Sequence, residues 1–234
     1  MKNIVRLSKW QIKRSLNSLI NFLADRLYPS KEEKVLLVMN VKKIYQCQWA
    51  SPEAVNASSD PRWKDFGFAS KKEYRFWSWR LCAIACLKMI LNFFFPKNQL
   101  KMSGIVNACL KLGGYDVVND RGWYHAAIIT YLKNNSLKTK QLRFLSFERL
   151  KRLIKNKMLV LASINETLKA SSHLQDGHII TICGVGFIRG KKFIYYLDPG
   201  DPQPFFSGKP SVMSWNNFLK RYLLRAIAVS YEKR

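Results

Sequence analysis

Cys82, His178 and Asp198 combine residue types, order and settings that could carry thiol acyl-transfer chemistry. A cysteine becomes a useful nucleophile when it is held as thiolate. The first turn of a helix favours this, because its unpaired N–H groups carry partial positive charge. Cys82 stands at the head of an apolar run with helical spacing, in which Cys82, Cys86, Met89, Ile90 and Phe93 share one face before Pro96 stops it. A neighbouring imidazolium would favour the thiolate further. His178 begins an apolar strand after Asp176-Gly177, and Asp198 follows Tyr195-Tyr196-Leu197 at the end of the next. Ile188-Arg189-Gly190-Lys191 suits a hairpin turn between these strands. Paired in this way, the far ends of the strands meet, and Asp198 comes beside His178, where a carboxylate orients the ring and stabilises its charged form. The reaction also needs donors for an oxyanion. The Cys82 N–H can supply one, and the side-chain amide of Gln46 or Gln48 a second. His125, within a helix expected over 122–133, and His173, in a polar loop, compete with His178 for the role of base.

These groups must be positioned by the elements around them. Residues 1–28 form a basic amphipathic helix, with Ile12, Leu16, Leu19, Ile20, Leu23 and Leu27 recurring at helical spacing and Tyr28-Pro29-Ser30 ending it. Such a helix packs on its own domain, on a partner, or on an anionic membrane surface. Residues 1–34 are accordingly assigned to an N-terminal extension and 35–234 to the catalytic domain. Val35 to Val41 reads as a strand, Ile44 to Ala50 as an extended segment, and 51–75 as a polar surface excursion with short helical pieces. Helices are expected over 82–95, 103–112, 122–133, 146–156 and 214–222. Strands are expected over 158–164, 179–187, 192–197 and 224–231. Helices first and an antiparallel sheet second make an α+β fold.

Composition narrows the setting. With 234 residues, of which 48% are hydrophobic, the chain can build one sizeable core. No apolar run reaches the length of a membrane span, and the basic N-terminus lacks the pattern of a secretory signal. A cytoplasmic location is expected, with peripheral membrane association as an option. Five cysteines leave at least one thiol free, and neither a disulfide framework nor a metal or cofactor site is expected. Forty Lys and Arg against fifteen Asp and Glu give a net charge of +25. The excess suits an acidic partner, whether nucleic acid, membrane surface or acidic peptide, or else a solvated basic surface. No nucleic-acid-binding motif accompanies it, so no specific nucleic-acid partner is expected.

The segments Tyr45-Gln46-Cys47-Gln48-Trp49-Ala50-Ser51-Pro52, Glu73-Tyr74-Arg75-Phe76-Trp77-Ser78-Trp79-Arg80-Leu81-Cys82, Ala85-Cys86-Leu87-Lys88-Met89-Ile90-Leu91, Gly177-His178 and Asp198-Pro199 resemble the bacteriocin-processing (double-glycine leader) peptidases, a family of papain-like cysteine peptidases, and among them the stand-alone bacterial type. The resemblance spans residues 41–231. It implies a papain-like fold in which a helical half carrying the Cys helix packs on a sheet half carrying His and Asp. It further implies a peptide or protein substrate, Cys82 as nucleophile, His178 as base, Asp198 as the group orienting it, and Gln48 as the oxyanion amide. Two features depart from the family: Ala83 stands where a glycine is usual, and the N-terminal helix is additional. A glutamine deamidase or transamidase with the same triad, or a catalytically silent peptide- or membrane-binding module, are the alternative readings.

Overall fold

The computed structural model describes residues 9–27, 33–54, 56–120, 122–165 and 177–231. The elements run α1 (Lys9–Leu27), β1 (Val35–Leu36), α2 (Val41–Ile44), a 3-10 turn (Trp63–Phe66), α3 (Lys71–Ser78), α4 (Cys82–Phe94), α5 (Met102–Lys111) and α6 (His125–Asn134). They continue β2 (Leu137–Leu142), α7 (Phe147–Lys155), β3 (Leu159–Asn165), β4 (Gly177–Ile188), β5 (Lys191–Leu197), α8 (Gln203–Ser207), β6 (Ser211–Ser214), α9 (Trp215–Arg221) and β7 (Tyr222–Tyr231). Among the described residues, no single helix is long and apolar enough to cross a membrane.

The strands form one antiparallel sheet in the order β2-β7-β3-β4-β5-β6. β5 occupies one edge of β4, so β1 shares the other edge with β3. Alternate residues of the central strands serve two cores. Leu159 and Leu161 of β3 join the core built on α4, whereas Val160, Ala162 and Ile164 join Phe147, Leu150, Trp215 and Phe218 of α7 and α9. Burial on both faces explains why these strands read as continuous apolar runs instead of alternating ones.

The helix and strand expectations in the second half hold to within a few residues, with Ser146 and Ser214 capping α7 and α9 through their hydroxyls. The hairpin turn is present, with Arg189 and Gly190 both at positive φ. Other expectations need correction. The strand expected over 35–41 is two residues long, because Val41–Ile44 winds into α2 behind an Asn40 cap. The helix expected from Gly122 starts at His125. The excursion over 51–75 is tied inward by Asp60, Phe66, Phe68 and Tyr74, all buried. β2, α8 and β6 have no counterpart in the sequence reading; β2 carries three exposed or half-exposed polar residues in Lys138-Thr139-Lys140, and its strand character comes from pairing along β7. The expected helix end at Tyr28-Pro29-Ser30, and residues 1–8, lie outside the described residues.

Candidate active site

The site is assembled where the N-terminus of α4 meets the start of β4 and the end of β5. α4 is buried along most of its length, with Ile84, Ala85, Cys86, Leu87, Met89 and Ile90 inaccessible to solvent. Leu81 precedes it and makes no side-chain cap hydrogen bond to its first N–H groups. Cys82 is half-buried at this uncapped end. The other four cysteines are buried, and burial pushes the thiols of Cys109 and Cys183 up to about 12 and that of Cys86 upward as well.

His178 and Asp198 come together through a bulge. From Ile188↔Lys191 to Gly184↔Tyr195 the hairpin pairs regularly; beyond it Ile182 pairs with Tyr196 and Thr181 with Leu197. Cys183 is therefore the extra residue, and its carbonyl is taken by Leu37 N at 2.9 Å from the β1 side. Side chains alternate faces along a strand, so one extra residue reverses the pairing parity beyond it. Carried past Leu197, the bulged register puts His178 and Asp198 on the same face; the unbulged register would have set them on opposite faces. Gly184 lets β1 lie this close, since a Cβ there would come within 2.6 Å of Leu36 Cδ1 and 2.9 Å of Val35 O.

His178 Nε2 lies 2.6 Å from Asp198 Oδ1, and the ring is 5% exposed. Asp198 takes Nε2, and the Cys82 side chain also acts on the same ring. Burial works against a charged ring here. The Asp198 hydrogen bond and the Cys82 side chain outweigh it and hold His178 well above the ordinary imidazole range. Asp198 Oδ1 also accepts from Gly200 N at 2.8 Å, which fixes the carboxylate in the turn.

That turn is clamped to the segment carrying Gln48. Tyr45 Oη lies 2.7 Å from Asp201 O and 3.1 Å from Asp198 O, and Gln48 N donates to Pro199 O at 2.9 Å. A Cβ built on Gly200 would lie 3.7 Å from His178 Cε1 and 3.9 Å from Gln48 Nε2. The Gln48 amide is thus beside the His178–Asp198 pair. Gln46 instead donates to the neighbouring Cys47 carbonyl at 3.0 Å. Behind Gln48, the buried Asp60 carboxylate accepts from Ala50 N, Ser51 N, Ser51 Oγ, Arg62 N and the Tyr74 hydroxyl. These hydrogen bonds outweigh burial and hold Asp60 below the usual carboxylate range.

Cys82 and His178 open onto a cleft of about 930 Å³. Ala83 lines it with its methyl group nearly inaccessible. One wall is a bidentate Arg80–Asp120 pair at 2.9 and 2.6 Å, with the Tyr115 hydroxyl on the same carboxylate and Trp123 Nε1 donating to Arg80 O at 2.6 Å. The cleft is also lined by His125, whose Nε2 is 3.0 Å from Ser163 Oγ. Burial, and secondarily the Arg225 charge, push His125 down to about 4, so it is neutral at physiological pH. His125 thus faces the cleft at the first position of α6 but, among the described residues, has no carboxylate partner of the kind His178 has. His173 lies outside the described residues. Sequence reasoning gave no role to Arg80, Tyr115, Asp120, Trp123 or Ser163. For Ser163 a signal existed: it is the one polar side chain inside the apolar run 158–164.

No protein-family model matches the sequence, and no curated protein matches it. Solved structures do. A candidate C39-like peptidase from Bacillus anthracis aligns over 87% of this chain and 99% of its own, with 16% identity and a TM-score of 0.54. The peptidase domain of Streptococcus ComA, a bi-functional ABC transporter of a quorum sensing pathway, aligns over 65% of this chain and 92% of its own, with 14% identity and a TM-score of 0.45. A double glycine motif protease from an AMS/PCAT transporter, in complex with a leader peptide, aligns over 63% and 82%, with 15% identity and a TM-score of 0.41. The likeness to the Bacillus anthracis protein establishes a shared fold, α+β and papain-like.

Proposed function

We propose that this chain is a papain-like cysteine peptidase that hydrolyses peptide bonds through Cys82, His178, Asp198 and Gln48. The observation that carries the reading is the buried His178–Asp198 pair, 2.6 Å apart, set against a half-buried thiol at an uncapped helix N-terminus. In this scheme Cys82 Sγ attacks the scissile carbonyl carbon. The oxyanion is held by the Cys82 N–H and Gln48 Nε2, an arrangement worth roughly 10²–10³-fold per donor. His178 Nδ1 gives its proton to the leaving amine, which departs as the acyl-enzyme forms. The neutral ring then takes a proton from water, which attacks the thioester and restores the thiol. Asp198 holds the ring in one orientation and stabilises its charged form. The C39-like peptidase of the same fold makes peptides the first substrate class to try.

Two measurements test this. Incubation with a peptide mixture should give cleavage products by mass spectrometry, and Cys82→Ala should abolish them while leaving the circular dichroism spectrum unchanged. A mass gain of one unit on intact glutamine-containing peptides would reassign the reaction to deamidation. On the native protein, a thiol-directed electrophile at mildly acidic pH should modify Cys82 well ahead of Cys47, Cys86, Cys109 and Cys183. Equal modification of Cys82 and the buried thiols would sink the proposal.

A further inference from the structure

α1 is amphipathic, and the usual expectation is that its apolar stripe faces the core. It is mounted the other way round. Among its described side chains, Asn17 and Asn21 are the ones it buries. Asn17 Oδ1 accepts from Leu145 N at 3.1 Å, Asn21 Nδ2 donates to Leu145 O at 3.1 Å, and Trp215 Nε1 donates to Asn21 Oδ1 at 3.2 Å. Arg14 adds a bond to Lys220 O at 2.9 Å. These bonds seat the polar face of α1 on the α7 and α9 side of the domain. Ile12, Leu16, Leu19, Phe22, Leu23 and Leu27 remain between 43% and 69% exposed.

A buried amide left without its partner is costly, so the asparagine bonds define which face points outward. Outward lies an apolar stripe bordered and interspersed by Lys9, Lys13 and Arg26, all exposed. On a helical wheel Lys13 borders the Ile20 edge, Lys9 lies in line with Leu27 between Leu16 and Ile20, and Arg26 lies between Leu19 and Phe22. An apolar stripe carrying these basic residues on a chain of net charge +25 is complementary to an anionic lipid surface: leucines enter the acyl boundary while lysine and arginine meet the headgroups. A second copy of this chain fits less well, because its own +25 charge would oppose the contact.

We propose that α1 is a membrane-docking helix, held by its asparagine face to the domain so that its leucine stripe rests on anionic lipid. The proposal stands apart from the reaction assigned to the cleft. It is tested with the full chain and with vesicles of phosphatidylcholine, either alone or mixed with an equal share of phosphatidylglycerol. The wild type should sediment with the mixed vesicles, bind the neutral ones much more weakly, and be released progressively by salt. Replacing the stripe with uncharged residues, as Leu16→Gln, Leu19→Gln and Leu23→Gln together, should weaken partitioning at least about tenfold, because binding scales with apolar area buried. Unchanged circular dichroism and unchanged alkylation of Cys82 in this variant keep the comparison with a folded protein. Lys9→Gln, Lys13→Gln and Arg26→Gln together should weaken binding and flatten its salt dependence. Failure of the wild type to bind the mixed vesicles overturns the proposal, as does full binding by the leucine variant. A wild-type dimer in sedimentation analysis that the leucine variant dissolves would assign the stripe to a second copy and overturn it as well.

Discussion

Replacing Asp198 by Asn probes the pair on which the proposed chemistry rests. The substitution keeps the size of the side chain and removes its charge. His178 is nearly inaccessible, so solvent does little to screen the loss. A hydrogen bond between a charged ring and a carboxylate at 2.6 Å is worth about 1.5–3 kcal/mol. At about 1.36 kcal/mol for each factor of ten, the substitution should weaken the hold of the His178 ring on its proton, so that it is lost at lower pH in the variant. The pH range over which thiolate and imidazolium coexist then contracts from its alkaline side. Alkylation of Cys82 by iodoacetamide, followed by mapping of the modified peptide, should fall in the variant from neutrality upward, by at most roughly 10–100-fold, the full factor appearing only at a pH where the wild-type ring also begins to lose its proton. In strong alkali, where the thiolate needs no partner, the two proteins should converge. Stability provides a second readout with a definite sign. The folded value of His178 is raised, so its contribution to stability is fully present below the unfolded imidazole value and is lost as pH rises through the folded one. The stability gap between wild type and variant should therefore close with rising pH. An alkylation profile that Asp198→Asn leaves unchanged across neutrality would refute the assignment of Asp198 as the group that holds the ring.

His125 should behave in the opposite sense. Its folded value is pushed down to about 4, so the stability it contributes is present above its unfolded value and is lost as pH falls toward the folded one. Roughly 2–3 kcal/mol should disappear between about pH 6.5 and 4, and His125→Gln should flatten that part of a curve of thermal midpoint against pH. Asp60→Ala should destabilise the fold by about 3–4 kcal/mol, because it strips a buried carboxylate from five donors. That loss corresponds to a fall of roughly 10 °C in the melting temperature of a chain this size. The same variant should lower the proposed peptidase activity, since the segment carrying Gln48 loses its anchor.

The legible parts of this chain are those decided over short distances. The Cys82 helix follows from apolar spacing and Pro96, α7 and α9 from their serine caps, and the β4–β5 hairpin from a turn that Arg189 and Gly190 close. The strand expected over 35–41 is cut short, with Asn40 capping a helical turn inside an apolar run. β2 was invisible because Lys138-Thr139-Lys140 pairs only when β7, some ninety residues later, lies alongside. The Arg80–Asp120 wall joins residues forty positions apart, and nothing near Arg80 marks its partner.

Residue type and order alone placed a thiol at a helix start, an imidazole at a strand start and a carboxylate at the end of the next strand. They also placed a leucine stripe on the N-terminal helix. Which way each group points was decided only in three dimensions. The single extra residue at Cys183 turns His178 and Asp198 onto one face, and its carbonyl is satisfied by Leu37 N, just after β1. The leucine stripe faces outward because Asn17 and Asn21 find partners at Leu145 and Trp215, more than a hundred residues away. Periodicity defines the faces of an element, but the choice of the face to bury belongs to the distant groups that satisfy its polar atoms.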